Sequence, residues 1–364
     1  MEGMKEIESR DYDGGSVMIS TRPINKLLQK LEKWETNFFK NLGEKEELKI
    51  VVVGGGMAGV ELCFALLSRV EKKLKEKREE VNEEKREEVN EEKRGEINEE
   101  KRGEVNEEKR GEGYKEKRGE TKELRVSCVL IDSQEKVMEK FGSKWFGYNV
   151  KEALKEKGVE WRGAFKCVKV EENKITIFKS KGVKLKGEDK AEKEEEVKVG
   201  VKEEVEYDLL VWSTGASAPP LLSTIPLAKD KKGFLEVNSF LHSPNDESVY
   251  GGGDCICISS SPNLPKAGVY AVREANTLSH NLLLHLRQES KEEKEGGGGG
   301  VVGKMEYSPQ SSFLSLLMTG DKRAISNYHF TSFHNSLMWL LKDYIDQTFM
   351  SAFLPPNESE KRSK

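Results

Sequence analysis

An excess of positive charge, a long apolar run and a disulfide framework are all missing from this 364-residue sequence. Sixty-one basic residues stand against sixty-five acidic ones, for a net charge of −4. That balance lacks the electrostatic footprint of a nucleic-acid binder. No uncharged apolar run approaches the roughly 18 residues that a transmembrane helix needs. The first residues, MEGMKEIESRDYDGG, are acidic and have no apolar core, so no secretory signal is expected. An intracellular location follows as the expectation, either cytoplasmic or peripheral on an organelle membrane. Five scattered cysteines make no disulfide framework, and five histidines show no metal-ligand spacing, so no metal site is expected. What the chain has in abundance is charge of both signs, 35% of its residues against about 25% in an ordinary globular chain.

Much of that charge has an address. From Lys73 to Glu120 an eight-residue unit of the type VNEEKRGE repeats six times, and its middle units carry one apolar mark each, Val81, Val89, Ile97 and Val105. Eight residues overshoot two helical turns by about 0.8 residue, so the mark drifts by roughly 80° per unit and builds no stripe. Gly95, Gly103, Gly111 and Gly119 weaken helix further. A solvated insertion, disordered or intermittently helical, is expected over 73–120. A second charged stretch, 181–206, follows the alternating KITIF of Lys174–Phe178 and reads as a lengthened hairpin connection. A third, QESKEEKEGGGGG, reads as a flexible linker over 291–303. Without the first two stretches, 77 of 290 residues are charged, about 27%, which is the ordinary share.

The strongest local signal is LKIVVVGGGMAGVELCFALLSRV, residues 48–70. Leu48–Val53 is an apolar, largely β-branched run broken only by Lys49, suited to a strand buried on both faces of a parallel sheet. It runs into Gly54, Gly55, Gly56, Met57, Ala58 and Gly59, which satisfies G-x-G-x-x-G, and a helical apolar pattern follows. In this arrangement Gly54 makes the tight turn and Gly56 admits the backbone to a pyrophosphate. Gly59 lets helix and strand pack closely, and the helix N-terminus faces the phosphates. Dinucleotide binding is the expectation. The fingerprint also requires an acidic residue about 20 positions on, at the end of the second strand. VSCVLID ends in Asp132, which lies 73 residues past Gly59 but 25 once the octads are excised. Asp132 would accept from the adenosine ribose hydroxyls and favour NAD(H) over the phosphorylated cofactor.

Two further landmarks are DLLVWSTG, ending at Gly215, and SVYGGGD, ending at Asp254 and followed by helix formers from Lys266. Taken in order, GGGMAGVE, LID, STG and GGGD resemble the FAD- and NAD-binding pyridine nucleotide-disulfide oxidoreductase superfamily. The segments STRPINKLLQKLEKWE, LPKAGVYAVREANTLSHNLL and YSPQSSFLSLLMTGDKRAIS resemble, more narrowly, the type II NADH dehydrogenase-like flavoproteins. Within these, the branch often fused ahead of selenide, water dikinase is the most similar. The resemblance implies that Gly253 and Asp254 hold the ribityl or phosphate part of FAD. It also implies that the helix beginning near Pro265, Lys266 and Ala267 points its positive end at the flavin pyrimidine ring. Glu61, in the GVE that follows the fingerprint, would lie near the nicotinamide and act in catalysis together with Lys266. Thr214 and Gly215 would line the cleft between the cofactors.

The resemblance also exposes a departure. Members of the family begin with their own strand–GxGxxG–helix, whereas only about twenty residues precede Ser20 here, and Gly14-Gly15 follows no strand. The expected architecture is therefore an α/β chain with a Rossmann-like NAD(H)-binding domain on a parallel sheet over 47–240. An N-terminal FAD-domain remnant and linker over 1–46, the C-terminal part of the FAD domain over 241–290 and an α+β cap over 304–354 complete it. A sheet edge left open by the missing half would be an aggregation liability. The expected activity is hydride transfer from NADH to flavin and on to a quinone or other acceptor. The alternative is an NAD-binding scaffold without stable FAD. Cys63 and Cys128 read as packing residues, and Cys255-Ile256-Cys257 as a weak redox or metal candidate. The apolar stripe of Phe333–Phe353 lacks a basic flank, so packing on the protein body is expected over membrane or homodimer contact.

Overall fold

The computed structural model describes residues 16–22, 24–42, 45–102, 124–141, 143–180, 200–289 and 303–353. Gly14-Gly15, the octads beyond Gly103, most of the second charged stretch and the glycine linker lie outside the described residues. In chain order the elements are β1 (Val17–Ser20), α1 (Ile24–Lys40), β2 (Glu47–Val53), α2 (Met57–Arg102), β3 (Arg125–Ile131), α3 (Lys144–Glu156) and β4 (Val159–Arg162). Then come β5 (Lys166–Val170), β6 (Lys174–Ser180), β7 (Gly200–Glu206), β8 (Leu209–Trp212), α4 (Pro220–Thr224), β9 (Leu235–Val237) and β10 (Ile256–Ile258). The chain ends in α5 (Gly268–Glu289), β11 (Ser315–Met318), β12 (Ala324–Asn327), β13 (His334–Asn335) and α6 (Ser336–Ser351). They form two compact units, one of Met1–Ser213 with Leu316–Lys364 and one of Thr214–Ser315.

The first unit is built on a five-stranded parallel sheet in the order β1-β8-β2-β3-β4. Its central strand explains the apolar run of the sequence from Ile50 to Val53. Leu48, Ile50 and Val52 enter the core shared with α1, α2 and α3, while Val51 and Val53 enter a second core against the antiparallel sheet β5-β6-β7. Successive side chains of a strand point to opposite faces, so a strand covered on both sides has no polar position to spare. The chain begins its described part inside this unit. β1 pairs residue for residue with Leu209–Trp212, and α1 buries Leu27, Leu31, Trp34, Phe38 and Phe39 in the core of β2. β1 and α1 are thus an edge strand and a covering helix of this parallel sheet.

The charged insertions continue the elements beside them. α2 does not stop at the octads but runs 46 residues to Arg102, about 70 Å at the usual rise. Glu, Lys and Arg are good helix formers, and ion pairs such as Lys72–Glu76 and Lys75–Glu79 (both 3.8 Å, one turn apart) support the helix where the apolar mark cannot. Of the two states expected for the octads, the helical one holds as far as residue 102. In the second stretch, residues 200–206 form β7, which pairs with β6 from Ser180↔Gly200 to Lys174↔Glu206. Its charges alternate outward while Val205 is buried, as a half-covered strand requires.

The second unit holds the parallel pair β9-β10, α4 and the 22-residue α5 around a core of Leu235, Val237, Leu241, Ile256 and Ile258. The sheet β11-β12-β13 and α6 complete the first unit, and Leu317 and Ile325 join its main core. α6 has no buried residue, and Tyr344 is 69% exposed. The expectation that its stripe packs on the protein body is overturned. Lys342 and Asp346 act electrostatically on Glu61 of α2, whereas Leu337, Leu340, Tyr344 and Phe349 remain exposed.

Candidate functional site

β2 delivers its last residue to a turn in which Gly54 has φ +116° and donates its N–H to the Ile131 carbonyl at 2.8 Å. That backbone angle suits glycine alone at little cost. Gly55 is buried. Gly56 is exposed, and a methyl group on it would meet nothing within 4 Å, so the space above it is open to a ligand. Met57 and Ala58 begin α2. A Cβ on Gly59 would fall 1.8 Å from the Gly54 carbonyl oxygen, so the helix can approach the loop only over glycine. Loop and helix therefore form a cradle with free N–H groups at the start of α2, the arrangement that receives a pyrophosphate.

Asp132 follows β3 beside this cradle. Its N–H donates to the Arg162 carbonyl at 3.0 Å, and its own carbonyl accepts from Phe165 at 2.9 Å, which fixes the backbone against the end of β4. The side chain is only 8% exposed, and its Oδ2 is buried without a hydrogen-bond partner. A sealed acceptor of this kind costs free energy unless a donor arrives, and two adjacent ribose hydroxyls are suitable donors. The residues at the cradle thus fit the adenosine side of a dinucleotide. Sequence reading missed the other wall. The Trp161 ring lies across Gly55, and a Cβ on Gly55 would be 2.7 Å from both Asp132 Oδ2 and Trp161 Cη2. The aromatic residue was visible at the end of a strand, but nothing local tied it to a glycine more than a hundred positions earlier. Trp161 also borders a 540 Å³ cavity whose lining includes Lys136, Met138, Lys144, Tyr148 and Lys151.

Glu61 stands one turn into α2 and accepts the Met318 N–H at 3.0 Å. Burial raises its pKa, an effect that the Met318 N–H and the Lys342 charge oppose. Below it, Ser68 donates to the Gly320 carbonyl at 2.7 Å, and Gly320 takes φ +77°, where a Cβ would fall 2.7 Å from the Phe64 carbonyl oxygen. The strand β11 and its turn are therefore bound along one face of the dinucleotide helix. On α3 the same turn is held by ions. Arg323 donates to Asp321 and Glu156, and Lys157 pairs with Asp321 at 3.2 Å. Burial would raise the Asp321 pKa, but hydrogen bonds from Arg323, Thr319 and Lys157 hold it well below the usual carboxylate range.

In the second unit Gly253 has φ +75° and opens the single turn Gly253–Cys255 that carries Asp254. The Gly253 N–H donates to the Glu274 carboxylate at 2.5 Å, and burial raises the Glu274 pKa. Lys266 donates to the Ile256 carbonyl and sits 4.5 Å over the Phe234 ring. Ala267 accepts the Tyr270 N–H at 3.0 Å as α5 begins. The hollow between them has about 10 Å³, room for one water. These groups fit a flavin as a wall: the first N–H groups of a long helix beside Asp254, with no enclosing cavity. Glu274 was not foreseen, because a mid-helix Glu carries no local mark. Thr214 and Gly215 lie in the irregular segment after β8, and a Cβ on Gly215 would meet nothing within 4 Å. Cys63 and Cys128 are buried. Cys255 donates to the Gly252 carbonyl at 3.2 Å. Among the described residues no three His, Cys, Asp or Glu side chains group as metal ligands.

Comparison with known proteins adds to this geometry. A family model described as pyridine nucleotide-disulphide oxidoreductase matches residues 23–275. No curated protein matches the chain. Among solved structures, the sulfide:quinone oxidoreductase of the hyperthermophilic bacterium Aquifex aeolicus aligns over 94% of this chain and 66% of its own, at 13% identity and a TM-score of 0.55. NDH2 from Plasmodium falciparum, solved in complex with NADH, aligns over 93% of this chain and 70% of its own, at 14% identity and a TM-score of 0.56. At such identities the likeness is one of fold. The chain spans about two thirds of the length of the structures it matches.

Proposed function

The chain belongs to the pyridine nucleotide-disulphide oxidoreductase family, and on that premise we propose that it is an FAD-dependent NAD(P)H oxidoreductase with NADH as its electron donor. The observation that carries the reading is the unpartnered Asp132 Oδ2 beside a glycine cradle that is open at Gly56 to a closely approaching ligand. The loop Gly54–Gly59 and the first N–H groups of α2 bind the pyrophosphate. Asp132 accepts from the ribose hydroxyls, and its carboxylate disfavours a 2′-phosphate there. Gly253, Asp254 and the start of α5 hold the flavin. The positive end of α5 favours negative charge on the pyrimidine edge. Bound FAD supplies the ring system that accepts hydride and passes electrons on, and the protein aligns and tunes it. Glu61 and Lys266 act as positioning groups: Glu61 holds β11 against the dinucleotide helix, and Lys266 ties the entry of α5 to β10.

A quinone is the proposed acceptor. The two matched structures are named as a sulfide:quinone oxidoreductase and as NDH2, and the exposed apolar face of α6 suits contact with the bilayer in which a quinone dissolves. No helix of the described residues is long and apolar enough to cross a membrane. The deciding measurement is the visible absorption of the purified chain. A flavin spectrum that NADH bleaches and a soluble quinone restores supports the proposal. A colourless protein that still binds NADH would replace it with a dinucleotide-binding scaffold.

A further inference from the structure

We propose that Trp161 is the gating residue of the dinucleotide site: its indole occupies the space through which the adenosine ribose reaches Asp132, and it must swing into the neighbouring cavity before the cofactor seats. This rests on the reading of Gly54–Gly59 and Asp132 as the NADH site. Three observations carry it. First, the same point beside Gly55 is 2.7 Å from both Trp161 Cη2 and Asp132 Oδ2, so the ring and the carboxylate oxygen share one wedge over the loop. Second, Asp132 Oδ2 is buried and has no partner, and the ring carbon that shares its wedge cannot satisfy it. Third, Trp161 itself lines the 540 Å³ cavity, whose walls set Val137, Met138 and Tyr148 among lysines and glutamates and give the ring space to enter.

The ring is what moves. The backbone on both sides is pinned by Asp132 N–H to Arg162 and Phe165 N–H to Asp132. A Cβ on Gly163 would meet Trp161 Nε1 at 2.6 Å, so the indole edge lies directly over a residue that only glycine lets it approach. The closed form carries the cost of an unpaired acid oxygen, and the open form exposes that oxygen to ribose hydroxyls. The cofactor thereby selects the open rotamer, and the apparent affinity is reduced by the closed fraction.

Stopped-flow measurement of NADH binding by cofactor fluorescence tests this on the full chain, alongside Trp161→Ala and Trp161→Phe. If the gate exists, the observed rate in the wild type levels off with rising NADH, because ring opening limits it. Trp161→Ala removes the plateau and tightens Kd, by roughly tenfold for a gate closed nine-tenths of the time. Trp161→Phe, which preserves packing should the alanine variant fail to fold, shifts both in the same direction by less. Should the variants bind more weakly than the wild type, with rates linear in NADH for all, the indole is a platform for the cofactor and the gate is refuted. Should no form bind NADH, the reading of the dinucleotide site falls, and the gate falls with it.

Discussion

Replacing Asp132 by Leu separates a binding role from a structural one, because the two effects carry opposite signs. Leucine has nearly the shape of aspartate but no oxygens, so the packing against Gly55 and Trp161 is preserved while the unpartnered Oδ2 is removed. Leaving a buried acceptor unsatisfied costs about 1–3 kcal/mol, and replacing it with an apolar group of like shape is neutral to stabilising. For a unit of this size each kcal/mol moves the melting temperature by about 2–4 °C. The Asp132→Leu variant without cofactor should therefore melt at the wild-type temperature or a few degrees above it. Its affinity for NADH should fall. A hydrogen bond to a charged group contributes about 1.5–3 kcal/mol, so losing one such bond to the ribose corresponds to roughly 10- to 150-fold in Kd. Differential scanning fluorimetry and fluorescence titration with NADH measure the two quantities on the same preparation. A variant that melts well below the wild type and binds NADH unchanged would show that Asp132 serves the fold, and the reasoning from its sealed oxygen would fail.

Gly59→Ala should lower stability by about 1–3 kcal/mol and abolish measurable NADH binding, since its methyl must displace either α2 or the Gly54 carbonyl; urea unfolding and titration check it. The Asp321 carboxyl is held below its unfolded value, so its contribution to stability is present above that value, near pH 3.8, and is lost as pH falls through it towards the folded pKa. Melting curves from pH 6 to 3 should fall more steeply for the wild type than for Asp321→Asn. Glu61 has the opposite sign, because burial raises its folded pKa above the unfolded 4.5 and stability declines as pH rises through that window. Glu61→Gln keeps an acceptor for Met318, so it should match the wild type below about pH 4.5 and melt higher at neutral pH. Substituting Leu340 and Tyr344 by Asp should leave the melting temperature unchanged and abolish co-sedimentation with lipid vesicles, because both side chains are exposed on α6.

Much of the cofactor-binding unit was legible because its signals are local. The run Leu48–Val53, the three glycines and the helical pattern after them each follow from a period or a spacing within a few residues. The position of Asp132 needed only the excision of a repeat that advertised itself. The reach of α2 into that repeat was not legible, since the drifting apolar mark argued against packing while the pairing of Lys and Glu along the helix supported it without packing. The edge position of β1 was equally hidden. Four residues, VMIS, carry no mark of their partner, and only the register with Leu209–Trp212 assigns them to this sheet.

The sequence by itself determined a doubly covered central strand, a glycine turn that can meet a phosphate and an acid at the end of the next strand, because each depends on local sterics and side-chain alternation. Only the tertiary structure decided that Trp161 closes over Gly55, that Glu61 receives the backbone of Met318 some 257 residues away, and that the stripe of α6 faces outward. Those are contacts between distant segments. They are set by how sheets and helices stack once the local elements exist, and no period along the chain encodes which face will be left uncovered.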